Sequence, residues 1–185
     1  MNASDGFSLH DLLITLVITS ILVTGGTSVV RLVRDTAQTA EINTFVALLN
    51  TARSAAITRH RDVVFCPSED GARCKSATDL TSWHQGTLLF IDDNGNREVD
   101  ADDVVLMRHT PFDSGVSITS SRYRSRVVYK PNGFAGGSNI TFVICGKRAS
   151  AGSAARFVVV SNSGRARVSS EPADGSPDER GVSCV

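Results

Sequence analysis

The sequence predicts an α+β fold in which one long N-terminal helix is covered by several short strands. Three observations predict it. Leu12–Val30 is a run of 19 residues without a charge, about the length a helix needs to cross a bilayer core. From Asp35 to Arg61 the apolar residues recur at steps of three and four, the period of an amphipathic helix. After Arg61 the pattern changes to short apolar or β-branched runs separated by Gly, Pro, Asn and Asp, the signature of strands and turns. Strands that follow a single amphipathic helix can bury its stripe only by packing against it.

The N-terminal run is apolar on all sides, which argues for a lipid environment rather than a core helix. It does not resemble a cleaved secretory signal. No positive region precedes it, and no small-x-small site follows a short apolar stretch. Gly25 and Gly26 lie inside the run and should loosen or bend it, at about 1 kcal/mol each relative to Ala. Thr15, Thr19, Ser20, Thr24, Thr27 and Ser28 make it only moderately hydrophobic, as suits a helix that leaves lipid to pack against other helices. Asp11 stands at the cytoplasmic edge of the run. A carboxylate there is expensive without a partner, so it is either a snorkelling or protonated acid at the interface or a charge that meets a cation on another chain.

The second half of the helix presents Ile42, Phe45, Val46, Leu49, Ala52, Ala56 and Ile57 as its apolar stripe, with Arg53, Arg59 and Arg61 on or near the other side. No proline interrupts residues 7–61, so the two halves read as one helix. The strand candidates are Val63–Cys66, Gly86–Ile91, Val104–Met107, Val116–Ile118, Val127–Tyr129, Ile140–Ile144 and Phe157–Val160. The chain has 185 residues, 41% hydrophobic and 21% charged. That is enough for one membrane segment and one domain with its own core.

The net charge of zero hides an asymmetry. Residues 62–103 carry ten acids and three bases, whereas residues 104–170 carry ten bases and the single acid Asp113. Such a basic half can face a polyanion, or it can be an ordinary solvated sheet face. Four cysteines, Cys66, Cys74, Cys145 and Cys184, form an even set that favours two disulfides in an exported chain. Of the three pairings, Cys66–Cys74 with Cys145–Cys184 is preferred. The first closes a short loop containing Pro67 and Gly71, and the second pins a polar C-terminal tail. Zinc is the alternative, but no C-x-x-C or neighbouring Cys/His pair supports it.

Ser163-Gly164-Arg165-Ala166-Arg167-Val168 is the main candidate site. Asn162-Ser163-Gly164 is turn chemistry after a strand. If the chain then runs extended, Arg165 and Arg167 share one face. Their guanidiniums then stand about 7 Å apart, close to the spacing of phosphates along a nucleic-acid strand. Lys147, Arg148 and Arg156 are candidates to extend the patch. An ordinary hairpin with solvent-facing arginines is the alternative. No aromatic ladder accompanies the arginines in sequence, so base stacking is not predicted.

Asp92–Asp103 places oxygen ligands at alternating positions, but Arg97 stands where a calcium loop needs glycine and Asp103 where it needs a bidentate Glu. A polar turn between two strands is the expected reading, and no metal or cofactor is expected. His10, His60, His84 and His109 adjoin no nucleophile. No G-x-S-x-G elbow or phosphate-binding glycine loop occurs, so the chain is not expected to be an enzyme.

Gly6-Phe7-Ser8-Leu9-His10-Asp11-Leu12-Leu13 resembles the type IV prepilin signature of a glycine, a phenylalanine and a carboxylate five residues into the mature chain. Here the acid is Asp11 where Glu is usual, and the leader holds Asp5 and no Lys or Arg. Ala52-Arg53-Ser54-Ala55-Ala56-Ile57-Thr58-Arg59 with Val63-Val64-Phe65-Cys66-Pro67, Lys130-Pro131-Asn132-Gly133-Phe134, Thr141–Cys145, and Arg156–Ser161 with Gly164–Arg167 resemble the GspH/FimT branch of pilin-like proteins. The resemblance implies a helix, transmembrane and then amphipathic, packed on an antiparallel β-sandwich-like domain. It implies cleavage between Gly6 and Phe7 by a prepilin peptidase and N-methylation of Phe7. It also implies docking of Asp11 against another subunit's N-terminal amine. The expected division is a leader at 1–6, a membrane helix at 7–34, an amphipathic half at 35–61 and a globular domain at 62–185.

The function so implied is that of a minor pilin or pseudopilin. It would sit in the inner membrane by a single pass, with its C-terminal domain in the periplasm, before joining other pilins or pseudopilins in a filament. Members of the FimT type carry a Gly-Arg-x-Arg motif associated with DNA capture in transformation, which Gly164, Arg165 and Arg167 match. Double-stranded DNA is therefore an expected partner. A purely structural tip subunit of a type II secretion pseudopilus, with no DNA binding, is the rival expectation.

Overall fold

The computed structural model describes residues 8–77, 81–112, 115–120, 123–146 and 155–170, without the side chains of 23–37. The helix α1 covers Leu9–Arg59. The chain divides into two compact units, Met1–Ala37 and Gln38–Val185.

In the first unit, the start of α1 is a reciprocal cap. The Ser8 hydroxyl accepts the His10 N–H at 3.3 Å, and the Asp11 carboxylate accepts the Ser8 N–H at 3.2 Å. Both use the unpaired donors of a helix start. Leu9, Leu12, Leu13, Ile14, Leu16, Val17, Ile18, Ile21 and Leu22 are all exposed. The hydroxyls between them turn back on their own helix. Thr15 donates to the Leu12 carbonyl at 3.0 Å, Thr19 to Thr15 at 2.8 Å and Ser20 to Val17 at 2.8 Å. Such back-bonding leaves no hydroxyl proton seeking solvent. Among the described residues no helix is long and apolar enough to cross a membrane. The expected span Leu12–Val30 passes out of the described side chains at residue 23, and Met1–Gly6 and Phe7 also lie outside the description.

In the second unit, the helix buries Ile42, Phe45, Leu48, Leu49, Ala52 and Ala56. The stripe differs at its edges from the expected one. Leu48 replaces Val46 as a buried member, and Ile57 is exposed near the helix end, one turn before His60 leaves the helix with φ 54°.

Among the described residues eight strands follow: β1 Val63–Pro67, β2 Thr87–Ile91, β3 Val104–His109, β4 Val116–Ser120, β5 Val127–Tyr129, β6 Ile140–Gly146, β7 Arg156–Val160 and β8 Ala166–Ser169. They form two four-stranded sheets, ordered β3-β2-β1-β5 and β4-β6-β7-β8. Every pairing is antiparallel. The inner faces supply Val63, Phe65, Leu89 and Ile91 from one sheet and Ile118, Phe142, Ile144 and Val158 from the other. The helix completes the same core, as period-2 strands and a period-3.6 helix require when they share one interior.

Phe45 is the centre of that core. Its ring lies edge-on to Phe65, Trp83, Phe112 and Phe142, with centroids 4.7 to 6.2 Å apart. Edge-to-face contacts of this kind each add about 0.5–1.5 kcal/mol beyond area burial. The first sheet is also buried on its outer face, where Val64, Leu88, Phe90 and Val128 meet Cys66 and Cys74. Those cysteines are bonded to each other, with Cα atoms 5.6 Å apart, as preferred from the sequence. The loop they close is held by the Lys75 N–H on the Pro67 carbonyl at 2.8 Å and by the Asp70 carboxylate. That carboxylate accepts the Ala72 and Arg73 N–H groups, which hold its pKa below the usual value. Cys145 is also disulfide-bonded. Cys184 lies outside the described residues.

Replacing Phe45 with Ala removes the shared ring of both sheets and should destabilise the domain by about 3–5 kcal/mol. Urea unfolding followed by near-ultraviolet circular dichroism measures this, and a loss under 1 kcal/mol would contradict the central position of Phe45.

Candidate functional site

The β7–β8 hairpin presents the Gly-Arg-x-Arg residues. Val159 lies opposite Arg167 and Val160 opposite Ala166. The turn between them closes with the Gly164 N–H on the Ser161 carbonyl at 2.8 Å and the Ser161 N–H on the Arg165 carbonyl at 3.1 Å. Gly164 adopts φ +76°, a conformation that residues with a Cβ rarely adopt. A second constraint acts on the same glycine. A Cβ placed there would stand 2.0 Å from the Gly133 carbonyl oxygen.

Gly133 belongs to the turn Lys130–Phe134, closed by the Gly133 N–H on Lys130 at 2.7 Å and the Lys130 N–H on Phe134 at 2.8 Å. A Cβ on Gly133 would meet Ile57 Cδ1 at 2.8 Å and Arg53 Nε at 3.2 Å. The Ala135 N–H donates to the Asn162 carbonyl at 2.9 Å and ties the two turns side by side. The arginine hairpin thus rests on a second turn, which rests on the helix. Each contact is backbone against backbone or against a packed side chain, so the hairpin tip has little freedom.

The structure places the candidate cations unequally. Arg165 and Arg167 are exposed, and Ala166 between them packs on the main core. Arg167 stands on the outer face of the second sheet, beside Val159. Neither arginine has an ion pair or hydrogen bond to its side chain among the described residues. Arg156 is exposed but lies opposite Ile144, whose face turns to the core. It therefore points to the other side of the sheet from Arg167 and does not extend that patch, because strand parity separates an even from an odd position. Lys147 and Arg148 lie outside the described residues.

Among the described residues the acidic and basic segments meet in two ion pairs. Lys130 pairs with Asp62, and Arg126 with Glu98. Arg126 Nε also donates to the Arg97 carbonyl at 2.8 Å. Arg108 donates to the Gly71 carbonyl at 2.8 Å and Arg124 to Gly137 at 3.0 Å. Four bases of the basic half are thus engaged. Arg165 and Arg167 are engaged by none of the described residues.

Below the turns, the Tyr129 hydroxyl and Arg53 Nε are both buried without a partner. Tyr129 is close enough to the hairpin that Gly164 would carry a Cβ 3.3 Å from its ring. Burial pushes the Tyr129 phenol well above its ordinary pKa, and the Arg53 charge opposes the shift.

The acidic loop between β2 and β3 consumes its own carboxylates. Asp92 accepts the Gly95 and Arg97 N–H groups at 2.8 and 3.0 Å, and Asp100 accepts the Asn94 and Asn96 side-chain amides at 2.7 and 2.9 Å. Among the described residues no group of three His, Cys, Asp or Glu could hold a metal ion. His84 Nδ1 accepts the Ile118 N–H at 3.3 Å, and His109 stacks on Phe112 at 4.5 Å. Both imidazoles have structural surroundings.

Sequence reading missed the apposition of the Lys130–Phe134 turn and the Asn162–Arg165 turn. Each contains Asn and Gly, which signals a turn, but nothing in either stretch indicates the other.

Residues 41–164 match the family described as type II transport protein GspH. The fold is similar to the crystal structure of the type IV minor pilin FimU from Pseudomonas aeruginosa strain PAO1. That similarity has a TM-score of 0.53 and 19% sequence identity, and covers 77% of this chain and 91% of that one. The minor pseudopilin EpsH of the Vibrio cholerae type 2 secretion system matches at a TM-score of 0.46 and 12% identity, over 70% of this chain and 94% of that one. No curated protein sequence matches significantly.

The Tyr129 phenol yields a pH prediction. Its folded pKa lies above the unfolded value, so its contribution is complete below about pH 10 and is lost as pH rises beyond that. Tyr129→Phe should be nearly neutral at pH 7, because the hydroxyl has no partner to lose, and should flatten the alkaline decline in stability. Urea midpoints from pH 7 to above pH 10 test it, and parallel declines in both proteins would refute it.

Proposed function

The chain belongs to the family of type II transport protein GspH, a type IV pilin-like family, and from that premise we propose a membrane-anchored minor pilin or pseudopilin whose β7–β8 hairpin binds DNA. The single observation that carries the DNA reading is the pair Arg165 and Arg167, exposed and, among the described residues, unpaired on a hairpin tip fixed by two abutting glycines. Phosphates can engage such a pair without first breaking an ion pair. The contacts involve no base edges, so the binding is independent of sequence.

The assembly reading rests on residues 7–34 as the anchor and filament helix, with 35–61 and 62–185 as the part carried outside the cytoplasm. Exposed apolar residues from Leu9 to Leu22 and hydroxyls bonded within the helix suit lipid and helix–helix packing. Prepilin peptidase would cut after Gly6 and leave Phe7 to be methylated. Asp11 would then dock the amine of a neighbouring subunit. Its carboxylate is exposed and, among the described residues, accepts only the Ser8 N–H of its own first turn, a contact an incoming cation can replace. The matched families are structural subunits, which supports a role without catalysis.

The rival reading is a structural subunit of a secretion pseudopilus that binds no nucleic acid. It draws on the type II transport description of the matching family.

Two measurements separate these readings. Fluorescence anisotropy of labelled duplex DNA with the detergent-solubilised chain should show weak binding that falls about tenfold between 50 and 200 mM salt, as two phosphate contacts imply. Arg165→Ala with Arg167→Ala should abolish it. Unchanged binding in that double variant would remove the hairpin from the account, and no binding at low salt would leave the structural role alone.

Intact-mass spectrometry of protein taken from membranes should give a chain starting at methylated Phe7. A chain that still starts at Met1, or one recovered from the soluble cytoplasm, would overturn the anchoring and processing reading.

A further inference from the structure

The geometry points to Phe134 as a base-stacking residue of the same site, which gives the hairpin a preference for single-stranded DNA over duplex. The inference rests on the DNA reading above. Its observations are separate from those of the arginine pair.

Phe134 is 51% exposed at the end of the Lys130–Phe134 turn. Large aromatics are usually buried in this domain, as Phe45, Phe65, Phe90 and Phe142 are. An exposed ring on a fixed support is therefore the exception to explain. The support is fixed on both sides. The Phe134 N–H donates to the Asn132 side chain at 3.0 Å, and its carbonyl accepts the Lys130 N–H at 2.8 Å. The next residue, Ala135, is bonded to Asn162, and the preceding residue, Gly133, abuts Gly164. The two turns run past each other in opposite directions, with Ala135 beside Asn162 and Gly133 beside Gly164. Phe134 lies alongside Ser163 in that register. Phe134 directly follows Gly133 and Arg165 directly follows Gly164, so the ring and the guanidinium sit on abutting turns. Ile57, 42% exposed, borders the same Gly133 and adds apolar surface.

An exposed ring on the turn that abuts the Arg165 and Arg167 hairpin matches the chemistry of a strand with accessible bases. Phosphates repeat along one edge of such a strand and π-faces along the other. Duplex DNA offers the phosphates and keeps its bases stacked inside, so Phe134 gains nothing from it. The aromatic partner that the linear sequence lacks is supplied by a turn about thirty residues upstream, as Phe134 and Arg165 show.

The test compares a labelled oligothymidylate with a hairpin duplex of equal phosphate count, using the full chain in detergent at one low salt concentration. The unaltered chain should bind the single strand at least about fivefold more tightly, the lower end of the stacking effect per base. Phe134→Ala should remove that preference and leave duplex affinity unchanged, because the ring is outside the core. Phe134→Trp should retain the preference, and the added indole should be quenched by the single strand and not by the duplex. Arg165→Ala with Arg167→Ala should weaken both ligands. Equal affinity for the two ligands in the unaltered chain would overturn the stacking assignment and leave the phosphate reading intact. Phe134→Ala lowering both equally would also overturn it. So would unchanged binding accompanied by lost filament assembly, which would assign the ring to a protein interface. Absence of binding to either ligand would overturn both readings.

Discussion

Everything else in the domain is arranged around the seat of Phe45. One ring on one helix touches aromatic groups from both sheets and from the segments between them. A helix stripe has a single direction, and two sheets can cover it only if both turn their inner faces toward it. The alternation in β6 follows from that demand, with Ile140, Phe142 and Ile144 facing inward and Thr141, Val143 and Cys145 facing outward. Ala52 and Ala56, where the helix runs on past Phe45, keep the backbone close to its cover. The exposed hairpin tip is a consequence of the same packing. Val158 and Val160 are held in the core, Ala166 packs against it, and Arg167 is left on the far side.

The tip is then fixed by a contact with no side chain in it. Gly164 approaches the Gly133 carbonyl so closely that it has no room for a Cβ. Side-chain packing positions a group by filling volume, whereas here a missing methyl group allows the turns to sit against each other. The charges around the tip follow a similar logic. Acids of the first half neutralise bases of the second through Asp62 with Lys130 and Glu98 with Arg126. Partly exposed pairs of this kind contribute little stability. Among the described residues, Arg165 and Arg167 are left as cations without a paired carboxylate.

Much of this was legible in the residues themselves. The helix period, the seven strand runs and the short cysteine loop all depend on local patterns, and local patterns survive folding. The parity of Arg165 and Arg167 followed from a two-residue alternation. Arg156 was misplaced because parity is counted along a different strand, and only the register of β7 against β6 reveals which face it occupies. Ile57 was misassigned because the stripe ends where the sheets stop covering it. The apposition of Phe134 and Arg165 joins two turns far apart in sequence, and no local rule reports such a meeting. The Asp-rich loop shows the converse. Its carboxylates resemble a ligand set in order, yet Asp92 and Asp100 bond to amides of their own turn.

The strand order has a further consequence for how the chain can be assembled in time. β5 returns to the first sheet after β4 has already joined the second. Neither sheet is therefore made from a continuous stretch of chain, and β1 stays open along one side until Tyr129 has been synthesised. A ribosome-bound intermediate ending between residues 91 and 127 carries a greasy strand with an unoccupied edge, the geometry that invites pairing with a stranger. The long sequence separation of β1 and β5 also slows closure. The price of interleaving two sheets around one helix is a nascent chain that must be shielded until about seven-tenths of its length exists.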